Sequence, residues 1–447
     1  MGSRNPIWHW PDETIWRKYC GFLDLTKEEF YEIQRELLQD ELLLVYRSPL
    51  GQSLLPGGLP RNTNAFRQVC RLTTYRDYRP FLESHQESNL PEPVFYWVDS
   101  DGWGRENRCV PYTKPGYETQ VDNSLAAFIL SSAKKKLEVN LRPQDRMFWE
   151  PSDQSSLPSN LACEMSQRFG FSHIHAVSGS KTGEPAPGGG FDWSRGMTGG
   201  LDILVGASSA LTQLGEDFSN SQPFPWFQPS ILHPWAMLRL AKGYLKSRLL
   251  GRQMMPKDFW APKVLLTWQL GESETNRESN RETARYWGKS PYQPYYCPEG
   301  GVMGLPGWNQ KDVTLIPYSN FYEFIPEDEY LKSWQDAEYR PQTVLFHELT
   351  EGCRYELVIT SLHGMPFLRY RVGHLIKVTA QEDTEIGVRL PQIVFEGRCD
   401  QRLDRDALLP AQEAGMEKAA AFEETEELIP NLGHARKPRK PALTKSY

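Results

Sequence analysis

Apolar residues recur at helical spacing from about residue 11 to 46, with charges between them, most clearly in LTKEEFYEIQRELLQDELLLVY. That period predicts an amphipathic helix. Thr26 followed by Glu28 and Glu29 marks a helix start. Residues 73–85, 123–136, 161–169 and 231–250 carry helical patterns as well. VFYWV (94–98) and NRCVPYT (107–113) read as short strands, and KVLLTWQLG (263–271) as a buried strand that feeds the helix-like ESETNRESNRETARYWG. From 312 to 397 the pattern turns to strands: VTLIPYSNFYEFIP, QTVLFHEL, RYELVITSL, HLIKVTA and QIVFEG. Residues 178–200 are rich in Gly, Pro and Ser and predict a long loop. The alternation of helices and strands predicts an α/β fold.

Composition narrows the function classes. A chain of 447 residues can bury a large core and hold more than one domain. The net charge of −7 argues against a nucleic-acid binder. No run of 18 apolar residues exists, so no membrane span is expected. Seven scattered Cys, with no CxxC pair, predict a reduced cytoplasmic protein without a structural zinc. After about residue 402 an acidic, Ala-rich stretch leads to a basic tail, HARKPRKPALTKSY, whose composition predicts disorder. The expected division is therefore a large unit, 1–397, with a β-rich subdomain at about 312–397, and a remnant and tail at 398–447.

Four stations carry candidate chemistry. VFYWVDSDGWGRENRCVPYT sets Ser100, Gly102, Gly104 and Arg108 between two strands. Glycines let backbone amides approach phosphate oxygens, and a cation offsets their charge. Alone, the stretch also reads as an ordinary Gly-containing hairpin. TWQLGESE places Gly271 and Glu272 where a strand meets a helix. PYYCPEGG offers Tyr295, an aromatic face for a purine, and Glu299, a carboxylate that could hold magnesium beside phosphates. RYRVGH (369–374) reads as a tight turn between two apolar segments, with FEGRCD and its Arg398 and Asp400 following. VSGSKTGEP (177–185) is a rival phosphate loop, but it lacks the flanking strands that 99–108 has.

In this order the stations resemble the adenylate-forming superfamily. The likeness is nearest to the Gretchen Hagen (auxin-responsive) type acyl-acid amido synthetases and their microbial relatives, over residues 70–402. NFYEFIP resembles that family's F-x-E-F-I-P. RYELVITSLHGMPFLRYRVGH resembles its Y-E-L-V-x-T-x-x-G-L-x-R-Y-R-x-G-D, and PQIVFEGRCD its P-x-x-x-F-x-G-R-x-D. The resemblance implies a body of two helix-flanked sheets plus a β-rich subdomain, and a C-terminal lid truncated or absent. It implies acid activation: a carboxylate attacks the α-phosphorus of ATP, and an amine, such as an amino acid, or a thiol then displaces AMP. ATP and Mg2+ are the implied cofactors. A small carboxylic acid and its acceptor are the implied partners, with no nucleic acid and no membrane.

The resemblance also assigns roles. Ser100, Gly102, Gly104 and Arg108 cradle phosphates, Gly271 and Glu272 line the adenine, and Tyr295 packs on it. Glu299 holds magnesium. Arg371, His374 and Arg398 face ribose and phosphates, and Asp400 is the hinge. Arg371, Glu299 and Arg108 are the implied catalytic groups.

The chain departs from this pattern on the nucleotide side. Asp99, Asp101, Trp103 and Glu106 stand where the family favours Thr, Ser and Gly, and acids there repel a triphosphate. Arg108 replaces Lys, Pro298 replaces Ser or Thr, and His374 replaces the ribose Asp. Neutral imidazole offers one acceptor where a carboxylate offers several, a loss of about 1–3 kcal/mol. Only 47 residues follow Asp400. A second expectation therefore stands beside the ligase: a relative that binds acyl ligand, nucleotide or partner without turnover, or one that takes its lid from another chain.

Overall fold

A computed structural model of the chain describes residues 6–100, 108–150, 157–174, 193–220, 233–268, 274–336 and 338–399. Met1–Arg398 form one compact unit and Cys399–Tyr447 a second, of which Cys399 alone is described. The predicted tail and Asp400 therefore lie outside the described residues.

The helical pattern of residues 11–46 forms two helices rather than one, α1 (Asp12–Cys20) and α2 (Lys27–Tyr46). A single tighter turn, Gly21–Asp24, separates them, and Leu25 is extended. Thr26 caps α2 as expected: its Oγ1 accepts from the Glu29 amide at 3.2 Å, and Glu29 Oε2 accepts from the Thr26 amide at 2.8 Å. Helices α3 (Pro49–Leu54), α4 (Thr63–Val69) and α5 (Tyr75–Leu82) follow. Strands β1 (Val94–Ser100) and β2 (Arg108–Thr113) pair antiparallel, with Ser100 opposite Arg108.

Helix α6 (Lys114–Ser132) starts earlier than the predicted 123–136. Thr113 Oγ1 accepts from the Gly116 amide at 3.1 Å, and Pro115 sits in the first turn, both strong start signals. The helix is buried on nearly every face, so it has little amphipathic period to read.

A four-stranded parallel sheet runs β4-β3-β5-β6, from β3 (Arg146–Trp149), β4 (Ser172–His173), β5 (Ile203–Gly206) and β6 (Val264–Thr267). Its flanking helices are α7 (Leu157–Phe169), α8 (Trp193–Gly199), α9 (Ser208–Asn220), α10 (Pro234–Leu249) and α11 (Glu274–Trp287). Of the strands, only β6 is predicted from the sequence. β3 and β5 are short runs, almost wholly buried, without alternation, which periodicity cannot assign. α8 occupies the end of the stretch expected to be loop, and 178–192 lies outside the described residues, as does the rival loop at 177–185.

The β-rich region begins before residue 312. Strands β7 (Tyr295–Cys297) and β8 (Gly301–Pro306) form a hairpin. Then come β9 (Val313–Leu315), β10 (Asn320–Pro326), helix α12 (Glu327–Gln335), β11 (Val344–Leu345), β12 (Arg354–Ser361), β13 (Tyr370–Ala380) and β14 (Gln392–Arg398). Together they form an antiparallel sheet ordered β11-β10-β12-β13-β14-β9-β8-β7. RYRVGH is not a turn between strands. The chain reverses before it, and Tyr370–Ala380 is one strand with a bulge: Glu356 pairs with Leu375, but Val358 pairs with Arg371. Gly373, at φ +73°, supplies the left-handed backbone the bulge requires.

Candidate active site

The β7–β8 turn, Pro298–Gly300, is clamped from three directions. The Tyr112 hydroxyl donates to the Pro298 carbonyl at 2.7 Å, Ser361 Oγ to the Glu299 carbonyl at 3.3 Å, and Asn320 Nδ2 to the Gly300 carbonyl at 2.9 Å. Gly301, at φ +63°, packs so closely on Gln120 that a Cβ would lie 2.3 Å from its Oε1. That Oε1 accepts from the Val302 amide at 2.7 Å. The Glu299 side chain is thereby aimed by a rigid turn.

Glu299 meets Arg108 and Tyr370. Arg108 Nη1 donates to Glu299 Oε1 at 2.8 Å, and the Tyr370 hydroxyl donates to the same oxygen at 2.7 Å. Arg108 Nη1 also lies 3.1 Å from the Tyr370 hydroxyl, and its guanidinium sits 5.5 Å from the Tyr75 ring centre. Tyr75 is tied in turn to the backbone of Cys109, whose amide it accepts at 2.7 Å. Burial pushes the Tyr370 phenol well above its ordinary range, and the Glu299 charge adds to this, so it stays a neutral donor.

The strand-to-strand stitching that sets this cluster runs through Thr73. Its amide donates to the Arg369 carbonyl at 3.0 Å, and its carbonyl accepts from the Arg371 amide at 2.9 Å. The Tyr78 hydroxyl, within 2.9 Å of Thr73 Oγ1, accepts from the Leu368 amide at 2.7 Å.

Beside the cluster, Tyr295 and His374 face each other, with the Tyr295 hydroxyl 3.1 Å from His374 Nδ1. The His374 and Phe395 ring centres are 4.8 Å apart. His374 is 5% exposed. Burial, then the charges of Arg398 and Arg108, push its imidazole down to about 3. It is therefore neutral at physiological pH. The bulge at Gly373 brings His374 opposite Arg398 on β14.

Of the residues expected to act, the fold brings Arg108, Tyr295, Glu299, His374 and Arg398 into one region. Arg371 lies apart from them. Alternate strand residues point to opposite faces, and Arg371 holds Glu356 at 2.9 and 2.5 Å and reaches Ser333 of α12 at 3.3 Å. Gly102, Gly104, Gly271, Glu272 and Asp400 lie outside the described residues, as does the Ser100 side chain. Trp268 packs between Trp149 and Tyr296, and its buried Nε1 has no partner among the described residues.

Tyr370 was not singled out from the sequence, although it is the middle letter of R-Y-R. Gln120 and Asn320 were missed too, because a polar residue on a helix or strand carries no sign of the turn it will hold.

Glu299, the expected magnesium ligand, spends one of its two carboxylate oxygens on protein donors. Oε1 already takes one cation and one hydroxyl donor. Among the described residues no three His, Cys, Asp or Glu gather as a metal ligand set.

Residues 313–398 match the family model described as GH3 family central domain. The solved structure of AtGH3.15 acyl acid amido synthetase in complex with 2,4-DB superposes with a TM-score of 0.60 at 16% identity, over 87% of this chain and 71% of that one. Residues 313–398 are thus similar to the central domain of the GH3 family, and the chain as a whole is similar in fold to a GH3 acyl acid amido synthetase. A 2-hydroxyisobutyryl-CoA ligase in the postadenylation state, in complex with 2-HIB-AMP, is similar as well, with a TM-score of 0.54 at 14% identity over 83% and 68% of the two chains. No curated protein matches the sequence. The chain thus has the fold of these solved enzymes, and the matched region carries β9 to β14, with Tyr370, His374 and Arg398. Among the described residues no helix is long and apolar enough to cross a membrane.

Proposed function

We propose that this chain activates a carboxylic acid with ATP and passes the acyl group to an amine or a thiol. The observation that carries the reading is the Arg108–Glu299–Tyr370 cluster, set beside Tyr295 and His374 within this fold. A substrate carboxylate oxygen attacks the α-phosphorus, the bond to the β-phosphate oxygen breaks, and pyrophosphate leaves with the electron pair. The acceptor then attacks the acyl carbon, the carbon–oxygen bond to AMP breaks, and the acceptor's proton passes to solvent. Arg108 supplies the cation that offsets phosphate charge, and it is partly open to solvent where a nucleotide would approach. Glu299 and Tyr370 hold that cation in one orientation. Tyr295 and neutral His374 give the nucleoside an apolar wall with a single polar pair.

The Arg108–Glu299 bond favours a second reading, binding of nucleotide or acyl ligand without turnover, because it occupies the groups that chemistry would use. Acid-dependent exchange of labelled pyrophosphate into ATP, across a panel of acids, separates the two. Exchange by the wild type supports the ligase. ATP binding without exchange, by both the wild type and His374→Asp, supports the second reading. Neither binding nor exchange sinks both.

A further inference from the structure

Helix α10 buries only one edge. Ala236, Leu240, Gly243 and Ser247 face inward, with Gly243 against the Phe259 ring. Its opposite face carries Trp235, Leu238, Lys242, Leu245 and Leu249. The intervals are three, four, three and four residues, the a/d repeat of a coiled-coil seam. Trp235 is 62% exposed, Leu238 59%, Leu245 61% and Leu249 78%. Single exposed leucines are ordinary, but an aligned row of large apolar side chains marks an interaction face.

The flanks of the seam say what would cover it. With Trp235 at position a, Arg239 and Lys246 fall at e, and Ala241 and Arg248 at g. No Asp or Glu occurs between His233 and Lys257. Lys246 reaches Asp258 at 3.5 Å, but Arg252 already holds that carboxylate with two bonds of 2.8 Å, so the Lys246 charge is left to attract a partner. Arg248 is exposed and donates to the neighbouring Tyr244 hydroxyl.

We propose that this face of α10 docks an acidic amphipathic helix of a partner protein, with branched apolar residues at its a and d positions and glutamates at e and g. Charges at e and g choose the partner of a coiled coil, and a single polar a residue fixes its register. Lys242 at the middle a position calls for an acid opposite it. A second copy of this chain would bring no acid to meet these cations, since none occurs between His233 and Lys257. A lipid surface needs an apolar face but gives no meaning to the three–four spacing or to a cation at the centre of the seam.

The test uses the full chain and a fluorescent synthetic peptide of about three heptads, with Ile at a, Leu at d, Glu at e and g, and one central a-position Glu. That central acid weakens pairing of the peptide with itself. Anisotropy should show saturable binding that weakens as salt rises. Binding should fall at least about tenfold in L238S/L245S/L249S, whose exposed sites leave the melting temperature unchanged. K246E/R248E should lose the acidic peptide and gain a counterpart with Lys at e and g. The proposal is overturned by absent binding, or by equal binding to the triple serine variant. It is also overturned if, in place of peptide binding, sedimentation shows self-association, or flotation shows capture by phosphatidylserine vesicles, that the triple variant abolishes.

Discussion

Two glutamates on the eight-stranded sheet each accept an arginine at 2.8 Å, and their surroundings differ. Glu323 on β10 takes Arg369 at both oxygens, 2.8 and 3.0 Å, and the Thr343 hydroxyl at 2.6 Å. Arg369 is itself buried and spends its remaining donors on the Arg67 and Cys70 carbonyls, at 2.5 and 2.6 Å. Arg67 lies 3.4 Å from Glu323 Oε1 as well, so the centre ties the end of α4 to the sheet through two arginines. Glu299 is just as buried, but its arginine is 29% exposed and is held by a hydroxyl rather than by a second ring of carbonyls. A buried charge pair fully enclosed by protein acts as a strut. One whose cation still meets solvent can exchange its partner for a ligand.

The largest effect expected from this contrast is on stability. Arg369→Ala should cost about 3–5 kcal/mol in denaturant unfolding, because the buried Glu323 loses both of its Arg369 bonds and the Arg67 and Cys70 carbonyls lose theirs. Arg108→Ala should cost less, about 1–3 kcal/mol, since Tyr370 still donates to Glu299. Equal costs would erase the distinction between the two centres.

Glu41 sharpens the contrast, as a buried carboxylate that holds no arginine. Its Oε2 accepts from the Gly364 amide at 2.8 Å, and its Oε1 has no partner among the described residues. Burial raises its carboxyl from 4.5 to about 8. Between those values the folded chain keeps a proton that the unfolded chain has lost. The stability it contributes is therefore full below pH 4.5 and is lost as pH rises through 8, at up to about 1.4 kcal/mol per pH unit. Glu41→Gln should remove that loss, and its melting temperature should exceed the wild type's at pH 9. Parallel melting curves for the two across that range would refute the assignment.

An effect of similar size, at the acid end, belongs to His374, whose imidazole is held down to about 3 from an ordinary 6.5. The folded chain refuses a proton that the unfolded chain accepts, so stability is full above 6.5 and falls as pH drops toward 3. His374→Gln should flatten the wild-type decline between pH 6 and 4 by up to about 1.4 kcal/mol per pH unit. An unchanged decline would place the acid sensitivity elsewhere.

The same contrast explains what the sequence made legible. The strands from β9 onward alternate or run apolar over seven or more residues in their longer members, and R-Y-R sits at fixed spacing from F-E-G-R, so this half of the fold could be read directly. The parallel sheet, β6 apart, could not, because such short buried strands have neither length nor period. At the site, Arg108 and Glu299 were legible as chemistry. That they bond each other across 191 residues was not, and neither was the opposite-facing Arg371. Pairing across the sheet is decided by register, and the bulge at Gly373 shifts register just where the motif lies.

The most direct test of the central claim is a calorimetric titration with ATP of the wild type and of Arg108→Ala, each first shown to be folded by its melting curve. ATP should bind the wild type, and the variant should bind it about 10- to 100-fold more weakly. No binding by the wild type, or equal binding by both, would contradict the assignment of the Glu299 centre as the ligand site.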